Sequence, residues 1–183
     1  MVMRKARLIF IVSFLVTPLL LSAAYPANDS LIGSFAPFFK IISGDKETLT
    51  LDGIKGKVAV LFYEAKSAIE KNRGLKTALN AFYDGQPDIV KKDIARIAVV
   101  NCRGVVFKKE WEKALQANSK KEGLTVYGDW DGKMSDDYHA KEGESNVMVI
   151  DKKGIIRYYV SGRVDDKDIG MIEEMLKKLA EEN

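Results

Sequence analysis

The sequence predicts an α/β domain: a mixed central β-sheet with helices on both faces, completed by a C-terminal hairpin and helix. Three observations carry this prediction. Val58 to Tyr63 and Ile94 to Asn101 are near-continuous apolar runs, the mark of strands buried on both faces. Stretches with apolar residues at helical spacing alternate with them, which argues for a parallel core. Near the end, Val147 to Asp151 and Ile155 to Val160 flank Lys152-Lys153-Gly154, a tight-turn hairpin that adds antiparallel strands.

The elements follow in order. Ile41-Ile42 and Thr48 to Leu51 are expected as short strands around a turn at Ser43-Gly44-Asp45, with a second turn at Gly53 to Gly56. After the first core strand a helix is expected from about Ser67 to Tyr83, with Leu75, Leu79, Phe82 and Tyr83 on one face and Asp84 to Pro87 ending it. A second helix is expected over Lys108 to Glu122, with Trp111, Ala114 and Leu115 inward and Gly123 as its stop. Leu124 to Tyr127 reads as a short strand, and Gly128 to Gly143 as a loop with one helical turn at Met134 to His139. The last helix, Val164 to Leu179, directs Ile169, Ile172, Leu176 and Leu179 to the core, and Asp165 can cap its start.

The chain divides into a signal peptide, residues 1–24, and one domain, residues 25–183. A basic start leads into the apolar run Leu8 to Leu21, which is too short for a comfortable membrane span, and Ser22-Ala23-Ala24 supplies a cleavage site. The expected location is the periplasm, with no membrane association after cleavage. Arg4, Lys5 and Arg7 account for the whole net charge of +3; without them 26 basic residues face 26 acidic ones. The mature domain therefore carries no basic footprint for nucleic acid. Its 46% hydrophobic and 30% charged residues suit a globular core that needs no disulfide or metal. A single cysteine, Cys102, rules out an intramolecular disulfide and a cysteine metal cluster.

Phe35-Ala36-Pro37-Phe38-Phe39, followed by Gly56-Lys57-Val58-Ala59-Val60-Leu61-Phe62-Tyr63, resembles the opening of the peroxiredoxin and cytochrome-maturation thioredoxins. Val147-Met148-Val149-Ile150-Asp151-Lys152-Lys153-Gly154-Ile155-Ile156 resembles their closing hairpin. Together these motifs span about Ile32 to Leu179 and imply a thioredoxin-like fold. Ser67-Ala68 with Glu70-Lys71-Asn72, and Val99-Val100-Asn101, look most like the YtfJ-type periplasmic branch of that superfamily. The resemblance fails at the family's reactive site. Laid on the CxxC pattern, the chain has Ser67 and Glu70 at the cysteine positions. The segment where the family carries a cis-proline reads Glu144-Ser145-Asn146.

Dithiol exchange needs a low-pKa thiolate at a helix start and a second sulfur to resolve the mixed disulfide. Serine and glutamate supply neither. Ser67-Ala68-Ile69-Glu70 instead fits the S-x-x-E capping box, in which serine and glutamate satisfy each other's backbone N–H groups at a helix start. Against this stands a degenerate binding site: Lys66, Ser67, Glu70 and Asn72 near the strand C-termini, with Ser145 and Asn146 beside them. The occupant would be a periplasmic protein or a small ligand; no cofactor and no metal are implied. Cys102 has two readings, a packed thiol and a peroxidatic one, the second making the domain a divergent thiol-dependent antioxidant of the peroxiredoxin-like group. Burial or exposure of its sulfur decides between them. His139 reads as solvated, and Asp129-Trp130-Asp131-Gly132 as an Asp-Gly turn rather than a calcium loop.

Overall fold

The computed structural model describes residues 31–182, so the expected signal peptide lies outside the described residues. In chain order the elements begin with β1 (Lys40–Ser43), β2 (Thr48–Thr50), β3 (Val58–Glu64), α1 (Arg73–Asp84) and α2 (Asp88–Lys91). The middle of the chain forms β4 (Ile94–Asn101), α3 (Lys108–Glu122), β5 (Val126–Asp129) and α4 (Lys133–Asp137). The chain closes with β6 (Ser145–Ile150), β7 (Ile156–Ser161) and α5 (Asp166–Glu181). The seven strands make one sheet in the order β2-β1-β5-β4-β3-β6-β7.

The two apolar runs occupy the centre. β3 and β4 pair in parallel from Val58↔Ile94 to Glu64↔Val100, and β5 continues the parallel set beside β4. The β6–β7 hairpin joins β3 antiparallel on the other side, and β1 joins β5 antiparallel. The chain steps in one direction from β3 to β4 to β5, and right-handed crossovers then place α1 and α3 on the same face. Strand alternation matches this. Val58, Val60 and Phe62 meet Leu75 and Leu79 of α1 and Ile172 and Leu176 of α5. Val100 and Val126 meet Leu115 of α3. On the opposite face Ala59, Leu61 and Tyr63 pack with Phe39, Ile54, Met134 and Tyr138, so that face is covered by the lead-in, a 3-10 turn and the short α4. Among the described residues no helix is long and apolar enough to cross a membrane.

Local departures from expectation have local causes. α1 begins at Arg73, not Ser67; Lys66–Ala68 is a short 3-10 turn preceding it. The connecting segment is tied down at both ends, by the Ala65 N–H donating to the Glu144 carbonyl and by the Asn72 side chain, so the helix cannot start earlier. Leu51 leaves the strand for a 3-10 turn over Leu51–Ile54, capped by the Thr50 hydroxyl accepting from the Gly53 N–H. β5 starts two residues late, at Val126, whose N–H donates to the Ser119 hydroxyl of α3. It then runs through Gly128, where a Cβ would lie 3.0 Å from the Cys102 Sγ and the Trp130 ring. A glycine that reads as a turn is thus a close approach inside a strand. Ala114 is exposed rather than inward. Asp165 holds the N-cap position of α5, but its side chain pairs with Lys167 at 3.4 Å instead of capping. Gly123 ends α3 in the left-handed conformation, φ 66°, as its position predicts.

Candidate functional site

The parallel strands β3 and β4 end at the same edge of the sheet, where α/β domains gather their functional loops. β3 ends in Glu64, whose residue is 3% exposed. Lys76 donates to its Oε2 at 2.6 Å and Ser145 Oγ to its Oε1 at 2.8 Å. Asn72 Nδ2 donates to Ser145 Oγ at 2.9 Å and to the Gly162 carbonyl at 2.8 Å, while Asn72 Oδ1 accepts from the Val164 N–H at 2.9 Å. Lys76 also donates to the Ile69 carbonyl at 2.8 Å. The result is a closed polar network beneath the 3-10 turn, joining β3, α1, β6 and the lead into α5. Burial pushes the Glu64 carboxyl above its ordinary range, against the pull of Lys76 and Ser145.

The structure divides the residues singled out from the sequence. Asn72 and Ser145 meet inside this network. Asn146, next in the strand, points to the opposite face, where it accepts from the Lys141 N–H and Ser161 Oγ and donates to the Tyr63 carbonyl. Lys66, Ser67 and Glu70 lie on the exposed rim. Lys66 rests over the Trp111 ring, 5.2 Å from its centroid. The Glu70 carboxylate accepts two hydrogen bonds from Arg73, at 2.6 and 2.8 Å, and these hold it below its ordinary range. Arg73 reaches on to Glu122 at the end of α3, at 2.8 Å. The expected capping box is therefore not formed: Ser67 sits in the 3-10 turn, and Arg73 takes the glutamate that would have reached back. Ser67→Ala should consequently change folding stability by less than about 0.5 kcal/mol, the range of an unremarkable surface substitution. Urea unfolding checks this, and a loss near 1 kcal/mol would restore the cap.

Cys102 is 0% exposed and packs with Val100, Leu115 and Val126. Burial, with a smaller contribution from the Asp129 charge, pushes its thiol up to about 12. Arg103, adjacent in sequence, does not help: its guanidinium bonds the Asp136 carboxylate and the Asp131 and Gly132 carbonyls. His139 is exposed, as read.

Sequence reasoning missed Glu64 and Lys76. The available signal was an acid closing an otherwise apolar strand on the helix-bearing face. It also missed Asp129, 1% exposed, which accepts from Tyr63 Oη at 2.9 Å and the Ser135 N–H at 3.1 Å and so anchors α4 beneath the sheet. Its carboxyl is raised by burial.

Residues 32–159 match the AhpC/TSA family. The chain belongs to the AhpC/TSA family. Solved structures share its thioredoxin-like fold. A proposed protein disulfide isomerase from Bacteroides thetaiotaomicron is 18% identical, with 82% of this chain and 91% of that one covered and a TM-score of 0.63. The exposed lipoprotein thioredoxin of Streptococcus pneumoniae is 21% identical, covering 78% and 100%, with a TM-score of 0.55. The reduced 2-Cys peroxiredoxin of Plasmodium vivax is 19% identical, covering 81% and 98%, with a TM-score of 0.53. No curated protein matches the chain. This AhpC/TSA domain has one cysteine, which rules out an intramolecular dithiol, and the described edge of its sheet presents a satisfied Glu64–Lys76–Ser145–Asn72 network.

Proposed function

We propose that this AhpC/TSA domain is exported to the periplasm, belongs to the YtfJ-type branch, and acts there as a redox-inactive binding or accessory module. The observation that carries the reading is the state of its one sulfur. Cys102 is fully buried, and its thiol is held up near 12, so almost no thiolate exists at neutral pH. Ser67 and Glu70, which fall on the cysteine positions when the thioredoxin CxxC pattern is laid on the chain, form no reversible bond to sulfur. A thiol-dependent antioxidant acting through Cys102 has this burial against it.

The purified mature domain tests the reading. Native labelling of Cys102 by a small thiol reagent should run at least about a hundredfold slower than in urea, because it waits for opening of the core. Insulin should not be reduced. Rapid native labelling followed by peroxide-dependent sulfenate, or insulin turnover like that of a thioredoxin, would reverse the assignment. The intact mass of protein from a periplasmic extract should correspond to a chain starting at Tyr25; a chain retaining Met1 would overturn cleaved export.

A further inference from the structure

β5 ends in a carboxyl group that is only half satisfied. Asp129 is 1% exposed, and its Oδ2 accepts from Tyr63 Oη at 2.9 Å and from the Ser135 N–H at 3.1 Å. Its Oδ1 is buried and no donor is directed at it. Among the described residues no other buried side-chain nitrogen or oxygen lacks a hydrogen-bond partner. A buried ionised oxygen without a donor is costly, so this atom calls for a physical account.

The surrounding cations are engaged elsewhere. Arg103, after β4, bonds the Asp136 carboxylate and the Asp131 and Gly132 carbonyls, and Lys133 of α4 pairs with Asp137. Tyr63 of β3 and Cys102 after β4 stay neutral near pH 7, since burial pushes both up, the thiol to about 12. β1 brings Ile42 and Ser43 beside this end of β5 and adds no charge. The group within hydrogen-bond reach of the Asp129 carboxyl is a second carboxyl, that of Asp131. Asp131 is exposed, and its Oδ1 accepts from the Lys133 N–H at 2.9 Å. Two carboxylates in contact repel, whereas one shared proton turns the contact into a charge-assisted hydrogen bond. Burial favours the proton on Asp129, and the Lys133 N–H favours the charge on Asp131. Between the two acids lies Trp130, whose indole N–H donates to the Ile42 carbonyl at 3.1 Å and whose ring lies 5.0 Å from Lys108 Nζ.

We infer that Asp129 Oδ1 carries a proton and donates it to the Asp131 carboxylate, forming a pH-sensitive latch that holds the Trp130–Gly132 turn against the end of β5. Loss of that proton to solvent base, by way of exposed Asp131, leaves two facing carboxylates that drive the turn away from the strand. The folded protein holds the proton more tightly than the unfolded chain does. The latch's contribution to stability is therefore fully present below the carboxyl's unfolded value and is lost as pH rises through the folded one. The latch does not depend on whether the domain is a binding module.

A pH titration of the purified protein, followed by NMR at the aspartate side-chain carboxyl carbons and the Trp130 indole N–H, tests it. The Asp129 carbon should titrate above the ordinary carboxylate range and the Asp131 carbon below it, and the indole resonance should move with the upper step. Asp131→Asn puts an amide that can donate to Oδ1 in place of the charged acceptor, and should bring the Asp129 step to lower pH. Asp129→Asn places an N–H where the proton stood. It should abolish the upper step and hold its urea midpoint across the pH range in which the parent's falls; Glu64 titrates in both proteins and cancels. An Asp129 carbon that titrates at or below the ordinary range, or an upper step indifferent to Asp131→Asn, would overturn the shared proton. An indole resonance unmoved through the upper step would overturn the latch. The titration of the parent decides both even where a variant fails to fold.

Discussion

Lys76→Met is expected to cost about 3–5 kcal/mol of folding stability near pH 8, because it strands the buried Glu64 carboxylate without its cation. The cost should shrink in acid. In the folded protein the Glu64 carboxyl lies above its ordinary range, since burial outweighs Lys76 and Ser145. A proton on Glu64 therefore favours the folded state. That contribution is fully present below the carboxyl's unfolded value and is lost as pH rises through the folded one. Removing Lys76 lifts the folded value further and widens the window in which protonation relieves the variant. Urea midpoints of variant and parent near pH 8 and near pH 5 measure the difference, and other carboxylates cancel in the comparison. A loss below about 1 kcal/mol near pH 8, or the same loss at both pH values, would show that the pair is not what neutralises Glu64.

Asn72→Ala should cost about 2–4 kcal/mol. One amide satisfies Ser145 Oγ, the Gly162 carbonyl and the Val164 N–H, and each buried group left without a partner costs about 1–3 kcal/mol. Hydrogen exchange gives an independent reading: the Val164 amide should lose its protection selectively, while the amides of β3 and β4 keep theirs. If stability fell but Val164 stayed protected, water or a shifted side chain would be replacing the amide.

The sheet was legible because its signal is local and repetitive. Val58 to Tyr63 and Ile94 to Asn101 have no polar break long enough to suggest anything but buried strands, and both elements appear where those runs lie. Gly123 marks the end of α3 because the left-handed turn there has a single-residue signature. The site was legible only in part, because its partners are distant in sequence. Asn72 and Ser145 read in the sequence as neighbours in a polar cleft, yet their bonds run across 73 and 90 residues and turn inward. Ser67 and Glu70 matched a short pattern, but a short pattern cannot register that Arg73 lies three residues on and Glu122 another 49 away. Glu64 ended an apolar strand, and the sequence gives no sign that Lys76 comes back to meet it.

The 3-10 turn at Lys66–Ala68 also bears on whether a cysteine pair placed at its positions would be reactive. Replacing Ser67 and Glu70 by cysteines would recreate the letters of the motif without its environment. The first position would lie in a three-residue turn, with α1 starting only at Arg73, so no long helix dipole would stabilise a thiolate there. Two cysteine substitutions therefore lead to an ordinary surface thiol pair. Dithiol chemistry at these two positions is held off by the backbone path between β3 and α1, so the barrier to it is architectural rather than a matter of two side chains.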